Sequence, residues 1–173
     1  MGSSARKMKL VTMQQEQQDI LHFSLIDLLG DDQSLALNPT LGTLTYLICK
    51  ESRPLILMQE QFTPTEIYVL LPLLETYPYF CPYEMLLASF EEGHVTEENL
   101  RCSRQRLLKA RQTGTWDRLM RPVRSVLSRT RIKIRPFGLL IMSINETGYL
   151  LKAAPRQPAK PQHEREATLW RDQ

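Results

Sequence analysis

Between Pro122 and Pro136 the chain reads Val-Arg-Ser-Val-Leu-Ser-Arg-Thr-Arg-Ile-Lys-Ile-Arg, with aliphatic residues returning every three or four positions. At roughly 100° per residue, Val123, Val126, Leu127, Thr130 and Ile134 share one arc of a helix. Arg121, Arg124, Ser125, Ser128, Ile132 and Arg135 fall on the far side, with Arg129 and Arg131 on opposite flanks. Proline is tolerated in a first helical turn, where its missing N–H has no partner to lose, and it disfavours helix just before itself. A helix over 121–135 is therefore expected, and its aliphatic arc demands a core. A hydrophobic content of 42% is enough to supply one.

The same stretch dominates the distribution of charge. Residues 1–100 carry 5 basic and 14 acidic side chains, whereas residues 101–135 carry 12 basic and a single acid, Asp117. The overall net charge of +3 conceals this division. A positive segment without balancing acids raises a potential that attracts a polyanion, so nucleic acid is the expected partner. Nothing points to an enzyme. His22, His94 and His163 are scattered, and no Gly-x-Ser-x-Gly, glycine-rich phosphate loop or metal-ligand spacing occurs. Cys49, Cys81 and Cys102 are widely spaced and odd in number, which suits reduced thiols in a cytoplasmic protein. Cofactors and metals are not expected. The densest apolar run, Ile67 to Leu74, is broken by Tyr68 and Pro72, so no membrane span is expected either.

Punctuation divides the chain into further elements. Residues 12–29 mix glutamines with apolar positions and read as an amphipathic helix ending at Gly30, although their later half also suits a strand. Ser34 to Leu37, Thr43 to Cys49 and Pro54 to Met58 read as strands of a small antiparallel sheet. Thr63-Pro64-Thr65-Glu66 is a capping box opening a helix that buries Ile67, Leu70, Leu71 and Leu74. Pro82 starts a second helix that ends at Gly93. Pro78 to Cys81 between them suits a helix-turn-helix corner. Thr96-Glu97-Glu98 opens a basic helix running to about Gln112. Thr115 to Met120 reads as a connector. Leu139 to Ile144 and Tyr149 to Leu151 flank Asn145-Glu146-Thr147-Gly148 as a β-hairpin. Residues 153–173 hold Pro155, Pro158 and Pro161 among charges and read as a disordered tail, with Leu169-Trp170 as a short docking segment.

This order of elements resembles the OmpR/PhoB-type winged helix-turn-helix domain. Leu35-Ala-Leu-Asn-Pro-Thr40 is similar to that family's opening strand and turn. Phe62 to Glu66 resembles its first helix start, and Pro82 to Leu87 its second. Val123 to Arg131 resembles its recognition helix, and Thr147-Gly148-Tyr149-Leu150 its wing ending. The resemblance implies an α+β fold: an N-terminal small antiparallel sheet, a three-helix core and a C-terminal β-hairpin wing. It would span 34–152, after an N-terminal extension over 1–33. The family usually carries a receiver domain ahead of the effector, and residues 1–33 are too few to hold one, so control by aspartyl phosphate is not expected.

The implied function is a DNA-binding transcriptional regulator, with helix 121–135 in the major groove and the wing near the adjacent minor groove. Arg121, Arg124, Ser125, Ser128, Arg129, Arg131, Ile132, Lys133 and Arg135 are the expected contacts on the helix, and Asn145 and Thr147 those on the wing. Ile132 would touch a thymine methyl, while arginines reach phosphates or guanine edges. Two departures stand out. The family often places an arginine just before the wing glycine, where this chain has Asn145-Glu146. The family also has a short loop where this chain has the insert 91–120, an extra helix before the recognition helix. Arg101, Arg104, Arg106, Lys109 and Arg111 make that insert a candidate contact for DNA or RNA polymerase. A homodimer fits the same picture. The alternative reading is a winged-helix protein–protein adaptor within a transcription complex.

Overall fold

Alternating leucines on neighbouring segments dictate the first sheet. In this computed structural model, which describes residues 20–155, β1 (Leu21–Phe23), β2 (Gln33–Asn38), β3 (Thr43–Lys50) and β4 (Arg53–Gln61) lie in that order, antiparallel throughout. Leu35 and Leu37 alternate with more exposed positions along β2, and Leu44 of β3 stands opposite Leu37. All three are fully buried, as period-two alternation on a one-sided sheet requires.

In the later half of 12–29, where helix and strand both suited the residues, the chain forms a strand. Leu21 and Phe23 pair with Leu37 and Leu35 as a strand, and a single turn, α1 (Ile26–Leu29), follows. Leu25 separates the two with a left-handed φ of 46°, which no continuous helix permits. Leu25 and Leu29 join the common core, so the sheet begins well before residue 34. Residues 12–19 of that expected helix, and the tail from 156 onward with Leu169 and Trp170, lie outside the described residues.

Helix α2 (Pro64–Glu75) opens on the expected capping box: Thr63 accepts from the Glu66 amide while the Glu66 carboxylate accepts from the Thr63 amide at 2.9 Å. Three residues, Phe80–Pro82, then form β5 where a bare helix–helix corner is expected. β5 pairs with β7 (Gly148–Ala153), which also pairs with β6 (Leu139–Ile144), giving a second sheet of order β5-β7-β6. Three residues are too few to display a period. Pro82 is tolerated because β5 is an edge strand. Gly148 permits the pairing, since a Cβ there would stand 2.2 Å from the Cys81 carbonyl oxygen.

Helices α3 (Tyr83–Glu92), α4 (Glu97–Gln112) and α5 (Trp116–Ile134) complete the order. Gly93 ends α3 with a left-handed φ, and Thr96 caps α4 with Asn99 in reciprocal bonds. The start of α5 is a correction: Thr115 to Met120 is no connector, because the helix begins at Trp116 and Pro122 lies inside it. The added turn contributes Met120, fully buried, together with partly buried Trp116 and Leu119. Pro122 faces water, where the carbonyl it leaves unpaired can be hydrated. After α5, a 3-10 turn (Arg135–Phe137) buries Phe137 with its ring 6.0 Å from Tyr46 of β3. One hydrophobic cluster thus joins both sheets with α2, α3 and α5. The architecture is α+β. Among the described residues no helix is long and apolar enough to cross a membrane. Cys49, Cys81 and Cys102 are unpaired, and burial pushes the Cys81 thiol up to about 12.

Candidate nucleic-acid interface

Helix α5 divides as its sequence period requires. Val123, Val126, Leu127, Thr130 and Ile134 are buried, and the Thr130 hydroxyl is satisfied by donating to the Val126 carbonyl at 3.0 Å. Arg121, Arg124, Ser125, Ser128, Arg129, Ile132 and Arg135 are exposed. Ile132 stands 74% exposed among these cations. Ser125 accepts a bond from Arg129 at 3.2 Å, which steadies that guanidinium along the helix. No described acid forms an ion pair with Arg121 or Arg135. Arg118, brought onto the helix by its earlier start, is exposed as well. It is a cation that reading 115–120 as a connector leaves out.

The C-terminal cations of α5 behave differently. Lys133 donates to the Glu66 carboxylate and to the Gln61 carbonyl, both at 2.8 Å. Glu66 is only 2% exposed. Burial by itself would raise its carboxyl, but the bonds from Lys133 and the Thr63 amide and the charge of Lys133 hold it below the ordinary range. Arg129 approaches the same carboxylate more distantly, at 3.9 Å. Lys133, one of the expected helix contacts, sets its ammonium against a carboxylate that the fold has taken out of water. Arg131 is half-buried, donating to the Ile141 carbonyl at 2.9 Å with its guanidinium 5.5 Å from the centre of the Tyr149 ring.

In the insert, much of the basic charge is already balanced. Arg104 pairs with Glu84 of α3 at 3.3 Å and Arg106 with Glu91. Arg111 donates to the Glu146 carbonyl at 2.8 Å and lies 4.6 Å above Trp116, so the end of α4 is fastened to the β6–β7 turn. Arg101 and Lys109 are exposed and make no ion pair with any described residue.

The β6–β7 turn presents Asn145 to solvent, while the Thr147 hydroxyl donates to the Asn145 carbonyl at 2.9 Å. Tyr83 meets Trp116 and Tyr149 edge to face, with ring centres 5.1 and 5.7 Å apart. Burial and the neighbouring Tyr83 push the Tyr149 phenol up, against the opposing charges of Arg131 and Arg124. Arg124 pairs with Asp117, about two turns earlier on α5, at 2.8 Å. Sequence reasoning missed this aromatic group, whose one local signal is Trp116 beside a basic helix. Among the described residues, no group of three or more histidine, cysteine or acidic side chains is placed to hold a metal ion. Comparison of the chain with family models, curated proteins and solved structures gives no match.

Proposed function

We propose that this chain is a DNA-binding transcriptional regulator of the winged helix-turn-helix kind. Helix α5 enters the major groove and the β6–β7 turn lies near the adjacent minor groove. One observation carries the reading: α5 is anchored by a face that is aliphatic apart from the satisfied Thr130, while its opposite face offers Arg121, Ser128 and Ile132, with Arg135 just past its end, to solvent. A groove-reading helix needs both properties, a rigid seat and a face with small residues among donors. Supporting it, α2 packs against α3 and α5, and the three-stranded sheet contacts the same helices. In the insert, Arg101 and Lys109 remain available for DNA or for RNA polymerase.

The test is binding of duplexes selected from a random pool, followed across salt concentrations. If about five phosphates are neutralised, log affinity falls against log salt with a slope of about −4.5. Arg135→Ala should lower that slope by about 1, and Arg104→Ala, whose guanidinium already has a partner, should leave it unchanged. A flat salt dependence would sink the proposal.

A further inference from the structure

Where the end of α4, the middle of α5 and the β6–β7 turn meet, a cleft of about 320 Å³ opens, lined by Tyr83, Arg111, Trp116, Arg124, Asn145 and Glu146. An adjoining hollow of about 410 Å³ shares Tyr83, Arg124 and Asn145 with it and adds Arg131. Three guanidinium groups from two helices therefore border one continuous depression.

Each of the three is bonded inside the chain: Arg111 to the Glu146 carbonyl, Arg124 to Asp117 and the Tyr149 phenol, and Arg131 to the Ile141 carbonyl. A guanidinium carries five N–H donors, so most remain for a ligand. Those internal bonds, and the rings of Trp116 and Tyr149 beneath Arg111 and Arg131, fix the donors in place before anything binds. Two acids oppose them. Asp117 is 81% exposed and well hydrated, and Glu146 lines the mouth. The balance stays positive, and Asn145 adds a neutral amide donor. Planar, forked donors held over aromatic rings match the oxygens of a phosphate group better than those of any neutral ligand.

We infer that this cleft is a phosphate-binding site in which Arg111 and Arg124 hold the phosphate oxygens and Arg131 adds charge at the adjoining hollow. The phosphate comes from a small phosphorylated molecule or from the backbone of nucleic acid; the chemistry of capture is the same. The inference does not depend on groove reading by α5.

Trp116 provides the readout. The chain has two tryptophans, so Trp170→Phe in the full chain leaves Trp116 as the sole one. Its fluorescence is followed during titration with inorganic pyrophosphate and, separately, with a short duplex. A saturable change is expected with at least one of them. Arg124→Gln should weaken it roughly tenfold, the loss of one charge-assisted contact, and Arg106→Gln should not. Arg111→Gln should act likewise, but Arg111 also braces Trp116, so Arg124→Gln decides. A response to pyrophosphate assigns the site to free phosphorylated molecules, and a response to the duplex alone assigns it to backbone phosphate. Silence towards both, or a response indifferent to Arg124→Gln, overturns the inference. Pyrophosphate binding by a chain that retards no duplex would sustain it and end the DNA reading.

Discussion

Two neighbouring helices, α4 and α5, are about equally rich in arginine and lysine, yet they are held in different ways. Helix α5 sinks six residues into the core, Met120, Val123, Val126, Leu127, Thr130 and Ile134. Helix α4 buries only Ser103, Leu107 and Ala110 over its 16 residues. Their charges do not follow that division, since most cations of both helices are already engaged inside the chain. On α4, Arg104 and Arg106 are matched by acids of α3 and Arg111 by a backbone carbonyl. On α5, Lys133 and, more distantly, Arg129 meet Glu66, Arg124 meets Asp117 and Arg131 a backbone carbonyl, so that Arg118 and Arg121 are the cations with no such partner among the described residues. Counting cations along a sequence thus measures potential, whereas the placement of acids elsewhere in the fold decides how much of it reaches a partner.

The sharpest way to break this comparison is to truncate one leucine on each helix. Leu127 is fully buried where α5 meets the core, and Leu127→Ala should cost about 3–5 kcal/mol, the transfer term plus an uncollapsed cavity. Leu107 is buried too but borders a surface hollow with Pro82, Tyr83 and Trp116, where neighbours can relax, and Leu107→Ala should fall at the low end, about 2–3 kcal/mol. Chemical denaturation reads both. Equal losses would mean that α4 is as deeply seated as α5.

Next in size is the ion pair that joins α5 to α2. Glu66→Gln keeps the shape of the side chain but leaves Lys133 beside a neutral amide. Because Lys133 is itself 29% exposed, a loss of about 1–3 kcal/mol is expected rather than the larger penalty of a sealed pair. The direction with pH follows from the lowered carboxyl. Its contribution is fully present above the ordinary value of 4.5 and is lost as pH falls through the lower value of the folded state. Urea midpoints measured between pH 7 and pH 3 should therefore converge for Glu66→Gln and the parent chain at the acid end. Parallel curves would assign the cost to packing alone.

Much of this structure was legible in the order of residues, and what escaped has a common cause. The capping box at Thr63, the opening of α4 at Thr96, the arc of α5 and the β6–β7 hairpin are patterns contained within a few turns or a short span, and each formed where its residues required. β5 and α1 were missed because three or four residues display no period: β5 exists through pairing with Tyr149 and its neighbours, and α1 through the place of Leu29 in the core, while β1, open between helix and strand in the sequence, is settled by pairing with β2. The start of α5 was misplaced because Pro122 resembles a first-turn proline until Met120 is seen in the core. The candidate site was half visible. Its outward face was readable from period and charge, but the partner of Lys133 lies 67 residues away. Glu66 reads locally as a capping residue and nothing more.

The smallest expected effect concerns the paired cations of the insert, and it sharpens the contrast between the two helices most directly. Arg104 and Arg106 are 61% and 49% exposed at the side chain, so their pairs with Glu84 and Glu91 gain little Coulomb energy in water. Replacing either by alanine should change stability by only about 0.2–1 kcal/mol, and less at high salt. The double-mutant cycle of Arg106 with Glu91 isolates the pair from effects on helix propensity. A coupling well above 1 kcal/mol would mean that these bridges, rather than Leu107 and the cap at Thr96, fix α4 on α3. The insert would then be an electrostatic attachment, loosened by the same salt that weakens any hold on a polyanion.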